Sequence, residues 1–205
     1  MSSNSHVPQG VAAIVLAAGL STRMGTPKMT LPWGDTTVLG HILEVLRSTG
    51  LTQVCVVTGG ARELVEEQAR LFQAQTAFNP QYENGEMLSS LQTGLSSLPD
   101  DSLAALVILG DQPQIEDDVV RCVAGATTDV TTSLVIPSYH MRRGHPWLVG
   151  RRYWPEILAL KSPSTMRDFI NTHKDDITYV NVATPSILMD LDTPEEYRQQ
   201  RPRRQ

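Results

Sequence analysis

The sequence predicts an α/β fold, a single-domain three-layer α/β/α arrangement around a mostly parallel sheet. Two uninterrupted apolar runs, Val11 to Ala18 and Leu103 to Leu109, are typical of strands buried on both faces, as the middle of a parallel sheet requires. Shorter apolar runs alternate with segments of helical spacing, which is the pattern of parallel strands joined by helical crossovers. A chain of 205 residues, 40% of them apolar, is long enough to bury one full core.

Apolar runs and breaker residues place the elements in order along the chain. The predicted strands are Val11 to Ala18, Val54 to Val57, Ala74 to Phe78, Leu103 to Leu109, Leu134 to Pro137, Trp147 to Val149 and Ile177 to Val182. The predicted helices are Val38 to Leu46, Leu64 to Phe72, Tyr82 to Leu98, Ile115 to Val123, Tyr153 to Leu160, Met166 to His173 and a last one after Pro194. Thr36 or Thr37 can cap the first helix and Gly50 can stop it.

The two ends of the chain lack apolar periodicity. Residues 1–9 are predicted to form a flexible leader and residues 199–205 a basic tail, so the domain is expected to span residues 10–198. The leader lacks a basic and then apolar signal pattern, and no apolar run is as long as a membrane span, so a cytoplasmic protein is expected.

The composition argues against several classes of binding partner and of structural site. The formal charge of -5 argues against a nucleic acid or an anionic membrane surface as partner. Two cysteines are too few for a disulfide scaffold or a zinc cluster. Cys55 and Cys122 both fall in apolar periodic segments, which predicts buried thiols.

A glycine-rich loop follows the first strand. Ligands of open α/β sheets bind at the carboxyl ends of the strands, because helices cover both faces. Gly19 and Gly25 let the backbone approach an anion, and Arg23 and Lys28 supply positive charge, so the loop indicates a polyphosphate. The spacing fits neither a Walker A loop nor the G-x-G-x-x-G fingerprint, and the alternative is an ordinary surface turn.

Acidic residues end two other segments. Asp111 follows the apolar strand that ends at Leu109, where it is either hydrogen-bonded into the next loop or holds a cation beside the glycine loop. Asp190 and Asp192 would share a face if the chain stays extended that far, whereas Thr193-Pro194 makes Asp192 a plausible helix cap instead.

Each of the remaining polar segments allows two interpretations, one structural and one functional. Ser89 and Ser90 near the start of a helix can cap it or can bind a base or a phosphate. Arg142, Arg143 and His145 lie in a predicted hairpin, where they either meet a phosphorylated acceptor or form a solvated tip.

These segments resemble a known family. The pattern Leu16-Ala17-Ala18-Gly19-x-Ser21-x-Arg23-Met24-Gly25-x-x-Lys28 is similar to the signature of the MobA-like nucleotidyltransferases, and its Ala-Ala-Gly form resembles the molybdenum cofactor cytidylyltransferases. The resemblance implies a Rossmann-like sheet of the nucleotide-diphospho-sugar transferase type. Where those cytidylyltransferases have Gly-Asp-x-Gly-x-Arg, this chain keeps only Arg167.

The resemblance also implies roles for particular residues. The implied catalytic residues are Arg23, Lys28 and Asp111. The implied nucleotide contacts are Leu16, Ala17, Ala18, Gly19, Arg23, Lys28, Asn79, Gly85, Ser90 and Gly110. The implied Mg2+ ligands are Asp111 with Asp192 or Asp190, and the implied acceptor contacts are Gly144, His145 and Pro146.

The activity implied is Mg2+-dependent transfer of CMP from CTP to the terminal phosphate of molybdopterin cofactor, with release of pyrophosphate. Open alternatives are the use of GTP, transfer to another phosphorylated acceptor such as a sugar phosphate, and a non-catalytic maturation factor that binds the cofactor and passes it to a molybdoenzyme. The partners implied are CTP or GTP, a phosphorylated acceptor and a transient molybdoenzyme client.

Overall fold

The computed structural model describes residues 7–84 and 87–202. The strands are β1 (Val11–Leu16), β2 (Pro32–Trp33), β3 (Thr36–Thr37), β4 (Val54–Thr58), β5 (Gln75–Phe78), β6 (Ala104–Leu109), β7 (Leu134–Tyr139), β8 (Arg142–Arg143), β9 (Trp147–Gly150) and β10 (Ile177–Asn181). The helices are α1 (Val38–Ser48), α2 (Arg62–Leu71), α3 (Met87–Ser97), α4 (Asp117–Ala124), α5 (Trp154–Ala159), α6 (Met166–Thr172) and α7 (Pro194–Gln200).

The main sheet is mostly parallel, as the alternation of strands and helices predicts. Its strand order is β10-β7-β9-β6-β1-β4-β5, with β8 paired to β7. β1 lies at the centre between β4 and β6 and is parallel to both. β9 is inserted antiparallel between β6 and β7. The carboxyl ends of β1, β4 and β6 therefore meet at one rim, where β9 begins.

Helices cover both faces of this sheet, which confirms the three-layer architecture. On one face Ala13 and Val15 of β1 pack in a cluster with apolar residues of α1, α2 and α4. On the other face Ile14 packs with apolar residues of α3, α5 and α6. Alternate side chains of one strand point to opposite faces, so β1 needs an unbroken apolar sequence to serve both layers.

Capping residues fix the start of two helices. Thr37 caps α1 by accepting a hydrogen bond from the Gly40 N–H at 3.0 Å. At α7, Thr193 and Glu196 form a reciprocal capping box with Pro194 in the first turn. Thr193 therefore takes the capping role at α7, which leaves the Asp192 side chain available for other contacts.

Several local predictions are corrected by the structure. The predicted helix Tyr82 to Leu98 is a 3-10 turn, Tyr82–Asn84, followed by α3. The hairpin β2–β3 was not predicted, and Cys122 is exposed rather than buried. Val7 is buried against the core, although it lies in the segment predicted as a flexible leader.

The helices of the described segments are short. None of them is both long enough and apolar enough to cross a lipid bilayer.

Candidate active site

A cavity of about 500 Å³ lies at the rim where β1 and β6 end. The glycine-rich loop forms one side, and the start of α3 forms another. Its lining residues are Leu16, Ala17, Ala18, Gly19, Leu20, Ser21, Thr22, Arg23, Lys28, Met29, Tyr82, Met87, Ser90, Leu109, Asp111 and Asp192. The predicted loop and two of the predicted acids, Asp111 and Asp192, therefore face one space, as expected for a crevice at the carboxyl ends of parallel strands.

The glycine-rich loop is shaped by local backbone contacts. Ser21 and Gly25 both have positive φ angles, 52° and 68°. The Ser21 carbonyl oxygen accepts hydrogen bonds from the N–H groups of Met24 and Gly25. The Ser21 hydroxyl accepts one from the Lys28 N–H at 3.1 Å. A Cβ on Gly19 would meet no other atom within 4 Å, so the backbone there is open to the cavity.

Two glycines let neighbouring segments pack closely behind the cavity. A Cβ on Gly110 would lie 2.8 Å from the Leu16 carbonyl oxygen, and one on Gly59 would lie 2.3 Å from the Ala18 carbonyl oxygen. Gly110 is therefore closely packed behind the cavity, and it is not among the residues that line it. Gly59 was missed as a site residue, although a Gly-Gly pair directly after β4 is a signal of close backbone approach.

Lys28 bridges the two acids on the rim. Its Nζ lies 3.1 Å from Asp111 Oδ2 and 3.0 Å from Asp192 Oδ1. Arg23 lies on the outer side, with a terminal guanidinium nitrogen 2.9 Å from Asp192 Oδ2. Partial burial alone would raise the pKa of Asp192, but the contacts with Lys28 and Arg23 outweigh it and hold that pKa below its ordinary value.

Backbone contacts fix Asp192 rather than Asp190 beside Asp111. The Leu191 N–H donates to the Asp111 carbonyl oxygen at 2.9 Å, and the Asp192 N–H donates to Glu196 Oε2 at 2.9 Å. Residues 189–192 do not form a strand, so the condition under which positions 190 and 192 would share a strand face is not met.

Asp190 makes a separate contact. Its Oδ1 accepts a hydrogen bond from Gln112 Nε2 at 2.6 Å, and it does not line the cavity. Burial raises the pKa of Asp190, against the lowering effect of the Gln112 hydrogen bond. Asp192 is thus the acid that shares the cavity with Asp111, and Asp190 belongs to the support behind it.

Of the residues predicted to contact the nucleotide base, one lines the cavity and another supports the cavity wall from behind. Ser90 lines the cavity together with Tyr82 and Met87. Asn79 is 1% exposed and its Nδ2 donates to the hydroxyls of Ser89 and Ser90 at 3.0 Å, so it positions the start of α3 from behind. Gly85 lies outside the described residues. Tyr82 and Met87 carried no sequence signal beyond their place in the first turns of the predicted helix Tyr82 to Leu98.

The predicted acceptor segment lies at the same end of the sheet, just before β9. A Cβ on Gly144 would lie 2.2 Å from the Ile187 carbonyl oxygen, and the His145 N–H donates to that oxygen at 3.2 Å. The His145 ring stacks on Trp147 at 4.3 Å, and burial lowers the pKa of His145 to about 3, so it is neutral. Gly144, His145 and Pro146 do not line the cavity.

The two carboxylates suit a small divalent cation that binds together with a substrate. Mg2+ is usually held by one or two carboxylates plus substrate phosphates rather than by a full protein cage. Among the residues described, no group of three or more acidic, histidine or cysteine side chains could hold a metal alone. Asp111 and Asp192 already share one cation, the Lys28 ammonium, so their oxygens converge on a common point.

Comparisons with known proteins identify the family of the chain. The model of the MobA-like NTP transferase domain family matches residues 13–177. The chain is 28% identical over 189 residues to the molybdenum cofactor cytidylyltransferase of Escherichia coli (strain K12), with 91% of this chain and 93% of that protein covered. It is 29% identical over 125 residues to a probable molybdenum cofactor guanylyltransferase of Bacillus cereus (strain AH820), with 60% of each covered.

A solved structure gives the same result for the fold. Rv0371c from Mycobacterium tuberculosis H37Rv is 28% identical, superposes with a TM-score of 0.77, and the match covers 92% of this chain and 96% of that one. Its complex with manganese superposes with a TM-score of 0.71 and the same coverage. The sheet is that of the nucleotide-diphospho-sugar transferase fold, and the chain is a nucleotidyltransferase that belongs to the MobA-like NTP transferase domain family.

Proposed function

We propose that this nucleotidyltransferase moves CMP from CTP to the terminal phosphate of a molybdopterin-type cofactor, with Mg2+, and releases pyrophosphate. The observation that carries the proposal is the meeting of Lys28, Asp111 and Asp192 in one cavity beside the open backbone of Gly19. The cofactor as acceptor is supported by the names of two relatives, a molybdenum cofactor cytidylyltransferase and a probable guanylyltransferase. A molybdoenzyme that receives the product would be the client.

The chain's own residues supply what nucleotide transfer needs. The α-phosphorus must be held in line between the attacking oxygen and the departing pyrophosphate, and the charge on its oxygens must be neutralised. The glycine loop would bind the triphosphate, with Arg23 and Lys28 as its cations. A phosphate monoester is already anionic at neutral pH, so no general base is required of the protein.

Asp111 and Asp192 would hold the divalent ion at the rim of the cavity. When bound, that ion supplies positive charge to the triphosphate oxygens. The manganese complex of Rv0371c supports a divalent ion in a protein of this fold. Glu196, which binds the N–H groups of Asp192 and Thr193, would keep Asp192 in place.

The acceptor would enter from the side where β9 begins. Gly144, His145 and Pro146 lie at that end of the sheet, and the tight packing of Gly144 on Ile187 gives the segment a fixed position. His145 is neutral, so it would bind the acceptor as a hydrogen-bonding group and not as a cation.

CTP is favoured over GTP by the wall of the cavity. Ala17 and Ala18 both line it, whereas a guanylyltransferase of this kind would more often show Ala-Gly or Gly-Gly at the corresponding positions. The cytidylyltransferase relative also matches 91% of this chain and the guanylyltransferase relative 60%. GTP is the second candidate because that relative shares the family.

A thermal-shift comparison tests the base. Each of CTP, GTP, UTP and ATP is added with Mg2+ at the same concentration, and the melting temperature is recorded. A ligand that binds only the folded chain stabilises it by ~2.7 kcal/mol at a hundredfold excess over its Kd, which corresponds to several degrees. We expect the largest shift with CTP.

A matched set without Mg2+ and with EDTA is the control, in which the shift with CTP should shrink. A selective shift with GTP would replace CTP as the donor. The absence of a shift with all four nucleotides would contradict nucleotide binding at this cavity.

A further inference from the structure

Lys28 occupies the point on which the two proposed metal ligands converge. Its Nζ makes contacts of 3.1 Å and 3.0 Å with Asp111 and Asp192, and its side chain is only 11% exposed. We propose that Lys28 is an internal counter-ion that blocks the divalent site until a triphosphate draws its ammonium away, so that metal and nucleotide bind with positive coupling. The proposal rests on the proposed function for the identity of the triphosphate, but not for the exchange of cations.

The local charges explain why a metal alone should bind weakly. Asp111 and Asp192 contribute two negative charges, and Lys28 and Arg23 contribute two positive charges within 3.1 Å of those carboxylates. These four side chains in contact therefore carry no net charge, and Asp190 lies outside their contacts because it is hydrogen-bonded to Gln112. A divalent ion that enters must compete with an ammonium already in place or be repelled by it, because like charges a few ångströms apart repel strongly at a partly buried site.

The backbone of Lys28 is held in place, but its side chain lies in the cavity and has room to move there. The Lys28 N–H is held by the Ser21 hydroxyl, and the following residue, Met29, is buried. The side chain lines the cavity together with Gly19 and Ser21 of the glycine loop. A lysine has a flexible four-carbon stem, so its ammonium can move from the acids to an anion bound at the loop without any change of the backbone.

A bound triphosphate would attract the Lys28 ammonium more strongly than the carboxylates of Asp111 and Asp192 do. It carries more negative charge than the two carboxylates and binds on the loop side of the cavity under the proposed function. Once Lys28 has turned to it, Asp111 and Asp192 lose their shared cation and become ligands for a divalent ion. By linkage, the gain in metal affinity caused by the nucleotide equals the gain in nucleotide affinity caused by the metal.

Binding of Mn2+ alone tests the proposal directly. The full chain, free of nucleotide, is titrated with Mn2+ and the free ion is measured by electron paramagnetic resonance. We expect Lys28→Gln to bind Mn2+ at least about tenfold more tightly than the unmodified protein, because the competing cation is gone. Lys28→Met, which keeps a long stem, gives the same measurement if the first variant proves unstable.

Two matched variants distinguish the removal of Lys28 from the metal site from a general loss of positive charge. Arg23→Gln removes the same unit charge, but the Arg23 side chain is 70% exposed and forms its ion pair with Asp192 from the outer side, so we expect less than about a threefold gain in Mn2+ affinity. Lys174→Gln removes an exposed lysine outside the cavity and should leave the affinity unchanged. Asp111→Asn in the Lys28→Gln background should abolish the gain.

The outcomes are distinct from those that test the proposed function. Equal or weaker Mn2+ binding in Lys28→Gln, or an equal gain in Arg23→Gln, would overturn the counter-ion proposal even if CTP is turned over. Tighter Mn2+ binding in Lys28→Gln alone supports it, even if the chain prefers another nucleotide, since neither nucleotide nor acceptor is present in the titration.

Discussion

Asp111→Asn is expected to lower the rate of pyrophosphate release from CTP by about 10³-fold at saturating Mg2+ and acceptor. The substitution removes one of the two negative charges proposed to hold the divalent ion, and charge stabilisation by such an ion is worth several kcal/mol in the transition state. The measurement is the initial rate of pyrophosphate release by wild-type and variant chains under identical conditions.

The fold should survive this substitution. The Asp111 side chain is 30% exposed at the cavity, and asparagine has nearly the same shape. Circular dichroism and the melting temperature of the metal-free protein check this point. Asp175→Asn, an exposed position outside the cavity, is the matched control and should retain full activity. Turnover of Asp111→Asn within threefold of wild type would remove Asp111 from the active site.

Asp192→Asn and Asp190→Asn should differ in their effect on turnover. Asp192 shares Lys28 with Asp111, so its substitution should lower the rate of pyrophosphate release by about 10²-fold or more. Asp190 contacts Gln112 instead, and asparagine keeps an oxygen that can accept that hydrogen bond, so we expect less than about a threefold loss. The same assay, run on both variants side by side, gives the comparison.

The pair also decides which acid belongs to the metal site. A larger loss for Asp190→Asn than for Asp192→Asn would reverse the assignment and would require the segment between Leu188 and Thr193 to change conformation during the reaction. Equal large losses would indicate that both carboxylates are needed in place, one at the cavity and one behind it.

The central strand of the sheet was predictable because its unbroken apolar sequence fits only a strand that is buried on both faces. Val11 to Leu16 is apolar at every position, which suits a strand packed on both faces, and the glycine loop after it falls at the ligand-binding rim. Asp111 was predictable for the same reason, since it follows the other fully buried strand. The hairpin predicted between Leu134 to Pro137 and Trp147 to Val149 implies the antiparallel pairing of β7 with β9, but the insertion of β9 between β6 and β7 was not predictable, because a four-residue apolar run does not show which other strand it pairs with.

At the site, the sequence leaves open which of several local interactions each side chain makes. Asp192 could have been a helix cap, and only the structure shows that Thr193 takes that role while Leu191 binds the Asp111 carbonyl oxygen. Asn79 is predicted as a base contact, and the structure adds that its amide nitrogen donates to the hydroxyls of Ser89 and Ser90, which the sequence does not show. The pairing of Lys28 with two acids more than 80 residues away leaves no local trace in the sequence.

A crystal structure with CTP and Mn2+ tests the central claim most directly, because the anomalous signal of the metal locates it without ambiguity. We expect a single Mn2+ peak bound by carboxylate oxygens of Asp111 and Asp192, the triphosphate against the loop from Gly19 to Lys28, and the Lys28 ammonium on a phosphate. A triphosphate outside this cavity, or a metal bound away from both acids, would contradict the claim.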